Sequence, residues 1–345
     1  MSDIYSKIAS HGKMLGITFI SIIIFTSLVL YLAGAPPYLA YYHILAGSLG
    51  SWVKFTHVIQ TFIPLALCSL GLLYTFRINL WNIGIEGQIM MGAVFTTLVL
   101  RMDMEAAHPV ITLCLALPAG IIGGGLWAAL AGILKTKGGI NEIFAGLGLN
   151  FVAQGALLWL IFGPWKRPGI ASMSGTEQFR EALWLPYIKS LRISPPAILL
   201  FVVMFIITAF LLYRFKIGLY LKAIGENSKA SNLYGLKINR YLLMAMLFAG
   251  GFAGLAGGIQ VAGVYHRLIP AISSNYGYLA LLVVMLSRFG LWLTPFVALF
   301  FACLNVGSIQ LPMMLELDSS LSGVIQGALV LITLAVYSYK KKANS

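Results

Sequence analysis

Asn79, Asn82, Glu86 and Gln88 fall within ten residues of an otherwise apolar stretch, INLWNIGIEGQIMMGA (78–93). A single carboxylate among three amides suits hydrogen bonding to a neutral partner or a structural network better than a proton relay. An ionisable residue within a membrane span costs roughly 2.5–3.5 kcal/mol on insertion scales, so Glu86 must face a polar cavity, find a partner or lie at the membrane edge. The sequence places it at the cytoplasmic end of a span, nine residues after Arg77. Gly84 and Gly87 flank it and allow a broken or tightly turned backbone. Two alternatives stand at this point: an inert polar turn at the interface, or a gate at the inner end of a pathway.

The elements that must carry these residues are apolar throughout. The chain of 345 residues is 59% hydrophobic and only 10% charged, against roughly 25% charge in soluble domains. With a mean hydropathy of +0.90, this is the composition of an all-α polytopic membrane protein. A β-barrel is excluded because the apolar runs are continuous, where barrel strands alternate. The net charge of +13 reflects basic loops rather than nucleic-acid binding. Cys68, Cys114 and Cys303 all lie in apolar runs and read as small buried hydrophobes. No metal-ligand spacing appears among the five histidines.

Ten spans are expected, at 15–33, 57–76, 85–101, 109–134, 142–162, 196–214, 241–264, 277–287, 292–311 and 320–338. The first follows Lys7 and Lys13, and at 18 apolar residues it exceeds a signal-peptide core, so it reads as uncleaved. With the N-terminus inside, the 23 Lys and Arg divide 15 to 8 in favour of the cytoplasmic side, which places both termini in the cytoplasm. The whole chain, 1–345, reads as a single transmembrane domain with short tails at 1–14 and 339–345. A cytoplasmic loop at 215–240 and an extracytoplasmic loop at 163–195 complete it. Span 8 is too short to cross at 1.5 Å per residue. It occupies the place of span 3 if spans 2–5 and 7–10 form two inverted repeats, and such paired interruptions mark the substrate path in transporters built this way. Stripes at Gly250, Gly254 and Gly258, and at Gly120, Gly124, Ala128 and Gly132, predict close helix packing.

The polar stretch also carries a resemblance. NIGIEGQIMMGA (82–93) resembles the signature of permease subunits in bacterial ABC importers for ribose-type sugars, nucleosides and branched-chain amino acids. Its Glu-Gly-Gln form is most like the nucleoside, or simple-sugar, branch. GGINEIFAGLGLNFVAQ (138–154), GLYLKAIGENSKASNLYGLKI (218–238) and YGYLALLVVMLSRFGLWLTPFVALFFACLNVGS (276–308) are similar to further family segments in the same order. The chain departs from the family at Lys222, where Arg is usual, at Ser231, and in LSRFGLWLTP and AGLGLN. The resemblance implies a fold of the type II ABC importer kind and a nucleoside or simple sugar as solute. It also implies a gate or pathway role for Asn79, Asn82, Glu86 and Gln88.

In 218–240 apolar Leu219, Ala223, Ala230, Leu233 and Tyr234 alternate with polar residues, which predicts a short amphipathic helix and a turn. The resemblance implies that this loop meets an ATPase through Lys222, Gly225, Glu226 and Asn227. No G-x-x-x-x-G-K-[ST] occurs in the chain, so ATP and Mg belong to a separate ATPase subunit and no cofactor is expected here. The implied partners are a second, different permease chain, ABC ATPase subunits, an extracytoplasmic solute-binding protein and the lipid of a bacterial inner membrane. The chain itself is then no enzyme. A branched-chain amino acid permease is the alternative within the family. A secondary transporter is the rival class, against which the acids Asp103, Glu105, Glu142, Glu316 and Asp318 fall at predicted span edges.

Overall fold

The computed structural model describes residues 20, 23–32, 34–167, 175–188, 193–315, 323–325, 327–328 and 331–332. The described elements are helical: α1 (Ile23–Leu32), α2 (Pro37–Leu49), α3 (Trp52–Arg77), α4 (Ile85–Met102), α5 (Pro109–Thr136), α6 (Glu142–Phe162), α7 (Pro195–Tyr213), α8 (Lys216–Glu226), α9 (Ser228–Leu233), α10 (Ile238–Ile259), α11 (Tyr276–Leu286), α12 (Thr294–Ser308) and α13 (Gln310–Leu315). Among the described residues seven helical segments are long and apolar enough to cross a membrane, or eight if α1 and α2 form one bent span. The expected first and tenth spans, the tails at 1–14 and 339–345, and the acids Glu316 and Asp318 lie wholly or partly outside the described residues. No element was expected between 33 and 57, yet α2 forms there, started by the proline at its first position.

The chain divides into two compact units, one of 1–58 with 299–345 and one of 59–298. In the first, Leu30, Ala40, Ile44, Leu311 and Ile325 form the apolar core. There α2 approaches the chain at Gly307 so closely that a side chain on Gly47 would strike the Gly307 backbone.

The second unit is built around α4, α5 and α10. A methyl group on Gly254 would collide with the Gly120 carbonyl, and one on Gly92 would collide with Gly254. The two small-residue stripes therefore face each other, with α4 as a third partner that the stripes alone did not announce. Lipid offers no hydrophobic drive between helices, so this close packing is what holds the trio together. Towards its end α10 loosens into a π-helical turn, Gln260–Tyr265. The loop at 175–188 answers it: Leu185 N–H donates to the Ala262 carbonyl (2.8 Å) and Trp184 stacks on His266 with ring centres 3.8 Å apart. Burial holds the His266 imidazole below its ordinary pKa. At the α4–α5 turn Asp103 accepts from Thr112 Oγ1 (2.8 Å) and from the amides of Ala107 and His108. Those bonds, the Thr112 hydroxyl first, hold its carboxyl below the usual value.

The cysteines depart from expectation. Only Cys68 is buried; Cys114 is exposed and Cys303 half-buried, on faces a bilayer would cover with equally apolar lipid.

Candidate functional site: the polar break and the coupling helices

Residues 78–84, between α3 and α4, are not helical, and the polar signature straddles this break and the first turn of α4. Glycine's role here is not the one expected. Gly84 and Gly87 do not adopt positive φ; the residue that does is Asn79, at φ 60°. Gly84 is small because the backbone of α6 passes beside it at Gly146, and a side chain on Gly87 would meet Asn150 and Trp127.

Every amide in the break has a defined partner. Asn82 Nδ2 donates to Gln88 Oε1 (3.0 Å) and Gln88 Nε2 donates to Asn82 Oδ1 (2.9 Å), a reciprocal pair with both side chains buried. Asn150 of α6 accepts from the Gly87 amide (2.8 Å) and donates to the Ile83 carbonyl (2.9 Å). Gly87 N–H is one of the donors that a helix start leaves without an intrahelical acceptor, so Asn150 caps α4 from another helix. Asn150 was not singled out from the sequence, although it lies within the 138–154 segment that resembles the family. Its only signal there is an amide in an otherwise apolar helix.

Glu86 lies in the first turn of α4 and is 3% exposed. Its Oε2 accepts from the Gly277 amide (2.8 Å), in the first turn of α11, 191 residues away. One carboxylate thus serves two helix N-termini, each presenting free N–H groups and the positive end of its dipole. A side chain on Gly277 would strike that carboxylate.

Glu86 and the 215–240 loop lie towards opposite ends of α11. The partner of Glu86 is the start of α11, while the residues just past the end of α11 approach the 215–240 loop: Phe289 packs on Phe76 with ring centres 5.1 Å apart, next to Arg77. An 11-residue helix is about 16 Å long, roughly half of a 30 Å hydrocarbon core. The length of α11 therefore separates Gly277, which holds Glu86, from Phe289 beside Phe76.

Asn79 separates from the other three. Its side chain reaches the coupling loop instead, with Nδ2 donating to the Gly225 carbonyl (3.2 Å). The loop itself forms two short helices, α8 and α9, where one helix and a turn were expected. Gly225 packs against the end of α3 so tightly that a methyl group would collide with the Arg77 carbonyl. Arg77 in turn donates to the Leu212 carbonyl (3.1 Å) and lies over the Tyr213 ring. Asn227 caps α9 by accepting from the Ala230 amide (3.0 Å). Lys222 and Glu226 form an exposed i,i+4 pair at 3.7 Å. Leu233 and Tyr234 are each 89% exposed, an apolar surface at the loop tip with nothing upon it. At the neighbouring α5–α6 turn Lys135 pairs with Glu142, so the span-edge acid is neutralised locally.

Comparison with known proteins agrees with this architecture. Residues 55–334 match the family described as branched-chain amino acid transport system / permease component. The glucose ABC transporter permease protein TsgB13 of Haloferax volcanii is 28% identical over 305 residues, covering 85% of this chain and 79% of its own length. The guanosine ABC transporter permease protein NupP of Bacillus subtilis is 23% identical over 298 residues, covering 85% of this chain and 84% of its own. NupQ, also a guanosine ABC transporter permease protein of Bacillus subtilis, is 25% identical over 238 residues, covering 66% of this chain and 72% of its own. With the match running through most of its helices, the chain belongs to the branched-chain amino acid transport system / permease component family and is a multi-pass membrane permease.

Proposed function

We propose that the chain is one permease subunit of an ATP-driven importer of the bacterial inner membrane, carrying a nucleoside or a simple sugar. It works as a single permease domain of about ten spans in two inverted repeats, with both termini cytoplasmic. The relatives whose names specify glucose and guanosine support this choice of solute over a branched-chain amino acid. Two guanosine permeases in one bacterium, NupP and NupQ, support a pairing with a second, different permease chain. ATP and Mg act on separate ATPase subunits, and a binding protein delivers solute from outside.

The observation that carries the mechanism is the pair of hydrogen bonds bracketing the polar break. At one end Asn79 holds Gly225 of the coupling helix; at the other Glu86 holds the first turn of α11. A rigid-body shift of α8, driven by ATPase closure against Leu233 and Tyr234, is delivered through residues 79–86 to the start of α11. Asn82, Gln88 and Asn150 keep the break from dissipating that shift, because each is locked to a partner. In this scheme Asn82, Glu86 and Gln88 form the gate, while Lys222, Gly225, Glu226 and Asn227 form the ATPase contact with Asn79 behind it. The test is transport in proteoliposomes by the complex recovered through a tag on this chain. ATP-dependent uptake of guanosine, uridine or D-glucose is expected, and this chain alone should move none of them. Accumulation by the isolated chain without any ATPase would refute the scheme.

A further inference from the structure

A cavity of about 430 Å³ lies beside the polar break, and the coupling scheme makes no use of it. Glu86 contributes to its lining, together with Gln154 of α6, Ser273, Ser274 and Asn275 of the turn before α11, and Tyr278 of α11. Three features mark this cavity as a place where something binds. Glu86 Oε1 is buried and makes no hydrogen bond of good geometry, although Oε2 is satisfied and Ser273, Asn275 and Tyr278 lie around the carboxylate. An orphaned buried acceptor is costly, and the cost is removed when a bound molecule supplies the donor. Ser274 and Asn275 are consecutive non-glycine residues in the left-handed region, at φ 48° and 59°. Held strain of this kind concentrates at binding sites and switch regions. Asn275 and Gln154 also present amides on a side of the unit where Phe151 is 72% exposed, so polar groups accompany the cavity while its surroundings suit lipid or another apolar surface.

The lining selects a chemical class. It holds a carboxylate, amides and hydroxyls, and neither Lys, Arg nor His is among its residues. A free amino acid could place its ammonium on Glu86, but the lining offers no cation to receive its carboxylate. A neutral polyhydroxylated ring meets no such conflict: its hydroxyls donate to Glu86 and exchange bonds with Gln154 and Ser274, and its apolar face rests on Phe151 or Tyr278. We propose that this cavity is a solute-contact site for the sugar ring of a neutral polyhydroxylated solute, with Glu86 Oε1 as the acceptor of a ring hydroxyl. The proposal deepens the permease function above and rests on it.

The test is thiol protection in the assembled transporter. Exposed Cys114 and half-buried Cys303 are first changed to Ser, and Gln154→Cys or Ser274→Cys is introduced singly. A charged methanethiosulfonate reagent should modify either cysteine, and modification should cut ATP-dependent uptake about tenfold while ATP hydrolysis continues. D-Glucose, D-ribose or uridine in excess should slow the modification, and L-leucine should leave it unchanged. Failure of the reagent to reach both cysteines overturns the proposal, as does protection by L-leucine equal to that by the sugars, or protection by none of the probes. The permease function is judged separately, by nucleotide-dependent uptake in the unmodified complex. If that uptake is absent, both conclusions fall. If it is present without sugar protection, only the cavity assignment does.

Discussion

The polar break and the coupling helices are both polar interruptions of an apolar chain, and they are built on opposite plans. In the break the amides of Asn82, Gln88 and Asn150 are paired inward, and Asn82 and Gln88 are each 1% exposed. In the coupling helices the polar residues Lys222 and Glu226 form a loose exposed pair, and the apolar residues Leu233 and Tyr234 point outward. In the first arrangement the amides are paired within the chain, as those of a part that must move without changing shape would be. The second is incomplete, with apolar surface that only a partner can cover. Polar residues in a membrane protein thus do two jobs here, and burial distinguishes them.

Substitutions can break this contrast, beginning with the largest effect. Gly225→Leu forces a side chain into the Arg77 carbonyl, and overpacking of this kind costs about 1–3 kcal/mol. Uptake should fall at least about tenfold with ATP hydrolysis no longer tied to it, while membrane insertion measured by protease protection stays intact. Asn82→Leu leaves Gln88 with unpaired buried amide atoms and should lower the complex's thermal stability by about 1–3 kcal/mol. The double change Asn82→Leu with Gln88→Leu should cost less than the sum of the single ones, because the two amides form one unit. Strict additivity in a thermal-unfolding cycle would show that the pair is not real. Asn79→Ala removes one exposed hydrogen bond to Gly225, so solute moved per ATP should drop by about twofold to fivefold with stability unchanged. Smallest is the Lys222–Glu226 pair, since exposed ion pairs contribute roughly 0–1 kcal/mol. Glu226→Ala should leave the purified chain's stability unchanged and lower uptake per ATP in the assembled complex by less than about twofold.

Much of this could be seen in the sequence, for identifiable reasons. The long apolar runs fixed most of the helices to within a few residues, because hydrophobic length is the dominant constraint on a spanning helix. The glycine stripes on α5 and α10 announced close helix packing, but not that the two helices meet each other. The four polar residues of the break stood out against apolar neighbours, but their division of labour did not. Asn79 turns towards Gly225 and Glu86 towards Gly277, contacts 146 and 191 residues away that no local pattern encodes. The course of the non-helical run at 78–84 was equally hidden, because its residues are nearly as apolar as the helices beside them. Asn150 went unremarked because one amide in an apolar helix carries no periodic signal. The π-helical turn at 260–265 was equally silent, its freed carbonyl being satisfied by Leu185 from a distant loop.

In the scheme proposed above, the buried break passes movement from α8 and α9 to α11 through Glu86. Uptake and ATP hydrolysis measured in the same proteoliposomes test it most directly, comparing Glu86→Gln with Glu86→Leu in assembled complexes. The amide can still accept from Gly277 and should retain uptake within about threefold, whereas the leucine cannot and should lose about tenfold or more with hydrolysis continuing. Equal uptake per ATP in the two variants would contradict the account and leave the signature as a structural turn.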